Sequence, residues 1–74
     1  MDWEFTKIVA DLENAKRTLN NLSNSEYRRE YIAKYLNGYE LDQIGFNAFV
    51  ASIIVDRIIG LLKVNYERRH AVDE

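Results

Sequence analysis

Phe5, Ile8, Leu12, Ala15, Leu19 and Leu22 follow one another at spacings of three, four, three, four and three. On an α-helix that rhythm gathers all of them into one stripe, the seam by which a helix packs lengthwise against another, with Val9 widening it. Lys7, Asp11, Asn14 and Thr18 fall on the opposite side. The chain therefore opens with a half-exposed helix, and whatever follows must offer it an apolar surface.

That surface lies between Ile44 and Val64, where Phe49, Val50, Ile53, Ile54, Val55, Ile58, Ile59, Leu61 and Leu62 leave room for only a narrow polar stripe of Ser52, Asp56, Gly60, Lys63 and Glu67. An apolar arc so broad exceeds what one neighbouring helix covers, which predicts a partner subunit or partner protein. The β-branched run from Phe49 to Val55 would also suit a strand. No turn interrupts the helical pattern through Tyr66, however, and a lone strand would have nothing to pair with. Ile44 to Val64 also approaches the length of a bilayer span. Asp56 and Arg57 fall near its middle and Lys63 inside one end. Central charges cost roughly 2.5 to 3.5 kcal/mol each on insertion scales, so no membrane span is expected.

The punctuation between these segments predicts three helices. Asp2 is placed to cap a first helix over 3–22. Short polar side chains from Asn20 to Ser25 mark a break, with Ser23 and Ser25 both suited to capping the next helix and Ser23 to Glu26 spaced as a capping box. The second helix then runs over 25–36, stopped by Asn37-Gly38 in the left-handed conformation, and the third covers 42–69. Without proline, repeat or linker, residues 1–74 read as a single domain, with 70–74 frayed.

A chain of 74 residues buries only roughly 60% of its unfolded surface. It has no cysteine to staple it, and one histidine cannot build a protein-only zinc or haem site, so added stability must come from helix packing or self-association. The expected fold is all-α: a small three-helix domain with a long apolar C-terminal helix, assembled as a helical-bundle homodimer, because two-fold closure is the commonest assembly. A charge placed at Ile53 or Leu61 is expected to disturb either folding or association. Asp2 and Glu4 stand where a secretory signal would be positive, and Asp11 and Glu13 interrupt any apolar segment behind them, which points to the cytoplasm.

Catalytic patterns do not emerge. There is no cysteine nucleophile and no glycine-rich phosphate loop, while His70 stands alone beside Arg69, so neither an enzyme nor a cofactor is expected. What remains suits recognition. Tyr27, Tyr31 and Tyr35 recur every four residues, with Tyr39 just beyond, forming a ridge of rings with wet hydroxyls. Arg57 projects between Ile53, Leu61 and Val64, where its stem can cover apolar neighbours. Tyr27, Tyr31, Tyr35, Ile53, Arg57, Leu61 and Val64 are thus the expected protein-binding residues of a non-enzymatic regulatory or adaptor protein. The alternative is a small nucleic-acid-binding regulator using Arg28, Arg29 and Lys34 together with Arg68 and Arg69. Glu26 and Glu30 dilute the first basic group, and the chain's net charge of -2 disfavours an extended nucleic-acid footprint.

Overall fold

The computed structural model describes residues 2–73, and side chains as far as Arg69. Helix α1 (Trp3–Leu22) leads through a short break to α2 (Ser25–Tyr31), a 3-10 turn (Ala33–Tyr35) and a long helix α3 (Gly38–Asp73). The architecture is all-α, with no strand among the described residues; Phe49 to Val55 lies within α3.

The start of α1 follows its sequence signals, the Asp2 carboxylate accepting from the Phe5 N–H at 3.2 Å. Glu4 adds negative charge to the first turn, where the helix dipole favours it. Neither serine caps α2. Ser23 closes α1 instead, its N–H donating to the Leu19 carbonyl at 2.9 Å and its hydroxyl to the Asn20 carbonyl at 2.7 Å. Asn24 takes the cap, its side-chain oxygen accepting from the N–H groups of Glu26 and Tyr27 at 2.9 and 3.2 Å. Asparagine is as good a cap as serine, and here it stands one position past the residue that finishes the preceding helix.

The second helix is shorter than its composition suggests. It ends at Tyr31, because Ile32 leaves the helical region (φ -128°, ψ -5°), and the chain turns through Ala33–Tyr35. Asn37-Gly38 is not a left-handed stop; none of the described residues has positive φ. Asn37 starts a helix instead. Its side-chain oxygen accepts from the Glu40 N–H at 2.8 Å while the Glu40 carboxylate accepts from the Asn37 N–H at 2.9 Å. This reciprocal capping box sets the start of α3 at Gly38 rather than at 42. With 36 residues, α3 spans about 54 Å at 1.5 Å per residue, in line with the 55 Å long axis of the molecule.

Helix α1 runs antiparallel to α3. At one end the Phe5 and Tyr66 rings stack with centroids 4.0 Å apart and planes 14° from parallel. Further along, Glu13 meets Lys63 at 3.2 Å and Lys16 meets Asp56 at 2.6 Å. Both ion pairs are largely exposed, so they set register more than stability. The row on α1 turned from solvent is Phe5, Val9, Leu12, Lys16 and Leu19, followed by Leu22 and Ser23. The facing row on α3 is Gly45, Ala48, Ser52, Val55, Ile59, Leu62 and Tyr66, again at alternating spacings of three and four. The seam is thus rotated from the one expected. Ile8 and Ala15 lie exposed, and Val9 and Lys16 take their places, the lysine being accommodated because its ammonium reaches Asp56. Ser52 also leaves the expected polar stripe: it is buried, its hydroxyl donating to the Phe49 carbonyl at 2.7 Å.

Candidate protein-binding surface

One neighbour cannot cover α3. Among the described residues only Ala48 and Ile59 are buried hydrophobics, and no large side chain is completely enclosed. On the side of α3 turned from α1, Phe46, Phe49, Val50, Ile53, Ile54, Ile58, Leu61 and Val64 are all exposed, Phe46 to 65% and Leu61 to 64%. At 100° per residue they sweep about half the circumference of the helix. Helices apolar on both faces are ordinarily buried on both, in a larger protein core or in a membrane.

Arg57 stands near the middle of this surface and is exposed, as are Ile53, Leu61 and Val64 around it. The ion pairs among the described residues are Lys7–Asp11, Lys16–Asp56 and Lys63–Glu13, and Arg57 belongs to none of them. Asp56, one position away, points along the flank toward α1, so the outer face carries a single charge amid aliphatic and aromatic side chains.

By length and composition the stretch Gly38–Arg69 is long and apolar enough to cross a membrane, and 22% of its apolar window is buried. Helix α1 lies along the same stretch, pairing Lys16 with Asp56 and Glu13 with Lys63. A bilayer around α3 would have to accept those charges at the same depth, or strip α1 away.

The tyrosines do not form one ridge. Tyr27 and Tyr31 meet on α2 with ring centroids 4.7 Å apart and planes tilted by 45°. Because the helix ends there, Tyr35 falls in the 3-10 turn, 71% exposed, with the Lys34 ammonium 5.1 Å from its ring centroid, and Tyr39 opens α3. The four rings decorate one end of the molecule as a broken, wet aromatic surface.

The basic residues are equally dispersed. Arg28 turns inward: its guanidinium donates to the Leu22 carbonyl at 3.0 Å, satisfying an acceptor at the end of α1, and lies against Gly45. Its Nε is buried with no acceptor. Arg29 borders a shallow hollow shared with Ser25, Gly38, Leu41 and Asp42. Arg68 and Arg69 lie on exposed positions of α3, about 35 Å along the axis from Gly45 at 1.5 Å per residue. Five basic side chains therefore make two separate groups, and Arg28 of the first is already committed to packing. The His70 side chain lies outside the described residues.

The fit of Arg28 to Gly45 was not apparent from sequence spacing, although Gly45, Ala48 and Ser52 form a row of small residues that marks close approach. A Cβ at Gly45 would stand 2.5 Å from the guanidinium carbon. In Gly45→Ala the gain in helix propensity, about 0.8 to 1.0 kcal/mol, is opposed by loss of a hydrogen bond from a charged donor, about 1.5 to 3 kcal/mol. Because the guanidinium is the free end of a flexible side chain and can move aside, the net change in stability is expected to stay within about 1 kcal/mol, with faster amide exchange in α2 as Arg28 leaves the Leu22 carbonyl. Unchanged exchange in α2 would show that Arg28 does not hold that helix in place.

No protein family, curated protein or solved structure matches the chain.

Proposed function

We propose that the chain is a non-enzymatic regulatory or adaptor protein of the cytoplasm, a homodimer that engages a protein target by helix-mediated contact. The observation that carries this reading is the outward face of α3, where eight large apolar side chains form one contiguous exposed patch. Monomeric soluble proteins rarely leave such a patch uncovered, and protein interfaces are its commonest use. Tyr27, Tyr31, Tyr35 and Tyr39 supply a second surface, amphipathic and near one end, suited to a target that the α3 face does not occupy. Arg57, Ile53, Leu61 and Val64 belong to the first surface, the tyrosines to the second.

The nucleic-acid alternative is weaker, because Arg28 is engaged with the Leu22 carbonyl and the Arg68–Arg69 pair stands far from Arg29 and Lys34. Phosphate recognition works best through a basic stripe that follows the backbone. Two measurements separate the readings. Binding to DNA and RNA, titrated with salt, is expected to be weak; tight binding that falls steeply with salt and disappears on neutralising Arg29, Lys34, Arg68 and Arg69 would reverse the assignment. A stoichiometric protein complex lost in Tyr31→Ala, with helicity retained, is the expected outcome of partner capture. If Tyr31→Ala alters stability alone, the tyrosine surface is structural and the target must be sought elsewhere.

A further inference from the structure

We infer that the outward face of α3 is covered by the same face of a second copy, running antiparallel about a two-fold axis beside Ile53 and Ile54. This deepens the reading of α3 as a protein-binding surface by naming its occupant and the direction in which it lies.

Area supports a partner of this size. The chain exposes 5952 Å², whereas a compact monomer of its mass exposes about 4,700 Å². The excess of about 1,200 Å² per chain would give about 2,400 Å² across two copies, inside the range of obligate homodimers. The radius of gyration is 16.4 Å, against about 11 Å for a compact domain of this length. Half of a larger core is what such a chain offers. Helix α1, polar on its outer side, suits an outer layer, while α3 lies between α1 and its own symmetry mate.

Charge chooses the direction. In a parallel, in-register pair the lone charge of the face, Arg57, would meet its own copy in a desolvated setting, with like charges opposed and no carboxylate between them. An antiparallel pair centred on the apolar patch from Phe46 to Leu61 has its axis beside Ile53 and Ile54. The two Arg57 positions then separate by about 10 Å along the helix axis, so each guanidinium faces aliphatic side chains of the other copy and the like-charge contact is removed. Phe46 of one copy falls opposite the partner's Leu61, and the two helix dipoles oppose one another. Lipid would remove the same apolar area, but only by taking up the charged α1 at the same depth or displacing it from α3.

The chain contains no cysteine, so single cysteines report register without interference. Under mild oxidation Ile53→Cys should cross-link to itself. Phe46→Cys and Leu61→Cys should each remain uncrosslinked alone and should form a mixed disulfide when combined. Self-cross-linking of both end variants, without the mixed product, would overturn the antiparallel arrangement. Sedimentation of the unaltered chain at micromolar concentration should give a dimer. A monomer would overturn the inference, and so would a monomer that co-sediments with phosphatidylcholine–phosphatidylglycerol vesicles. A monomeric chain that still makes a Tyr31-dependent complex would remove self-association while leaving the adaptor reading intact.

Discussion

Ile53→Asp is expected to turn the proposed dimer into a monomer while leaving the α1–α3 hairpin helical. Ile53 is 42% exposed in the single chain, so each copy loses about 0.6 to 1.3 kcal/mol of interfacial burial, and a two-fold interface counts the loss twice. Desolvating two unpaired carboxylates adds to it. A total of at least about 4 kcal/mol weakens association by roughly a thousand-fold or more. The side chain is 42% exposed in the single chain and lies outside the α3 row that faces α1, so the α1–α3 seam does not run through it. Sedimentation should therefore change while far-ultraviolet circular dichroism at low temperature stays helical. A dimer of undiminished affinity would place the association surface elsewhere on the molecule.

Ile59→Ala should do the reverse, acting on the fold itself. Ile59 is 6% exposed and sits in the α3 row that faces α1, where truncation removes the largest of the buried side chains among the described residues. Isoleucine-to-alanine changes at buried sites cost about 2 to 5 kcal/mol. A chain of 74 residues has a total stability of only about 4 to 11 kcal/mol by the usual per-residue range. A shift of the urea midpoint corresponding to about 2 to 3 kcal/mol is expected, compared at equal protein concentration because self-association makes apparent stability concentration-dependent. A change below about 0.5 kcal/mol would show that Ile59 is not part of the packing that holds the hairpin together. Sequence pattern alone placed Ile53 and Ile59 in the same apolar run. Their opposite expected behaviour comes from which neighbour each one faces.

Local rules were most legible where a signal had no competitor. Asp2 stands before an uninterrupted apolar rhythm, and α1 starts and ends where that rhythm does. Between Asn20 and Gly38 several good caps and stops lie within a few residues of one another, and their free energies differ by less than tertiary packing can supply. Asn24 capped α2 because Ser23 was already closing α1, and Asn37 began a helix because Glu40 could return its hydrogen bond. The tyrosine periodicity was real in the sequence but lost its helix at Ile32, so an expected ridge became scattered rings. Arg28 looked like a surface cation; the absent side chain at Gly45 gave it a place to lie.

By itself, the sequence determined the secondary-structure class, the extent of α1 and the excess of apolar surface on α3, because periodicity and composition are properties of a single helix. Which residues of that surface meet α1, and which are left for another molecule, was decided only by the tertiary structure. The α1 stripe includes both Ile8 and Val9, and α3 is apolar on either side, so rotation about either helix axis exchanges one plausible seam for another at little cost in hydrophobic burial. The stack of Phe5 on Tyr66, the two cross-helix ion pairs and the small residues at Gly45, Ala48 and Ser52 select one rotation. These contacts join positions far apart in the chain, and their agreement in a single register exists only once the two helices lie side by side.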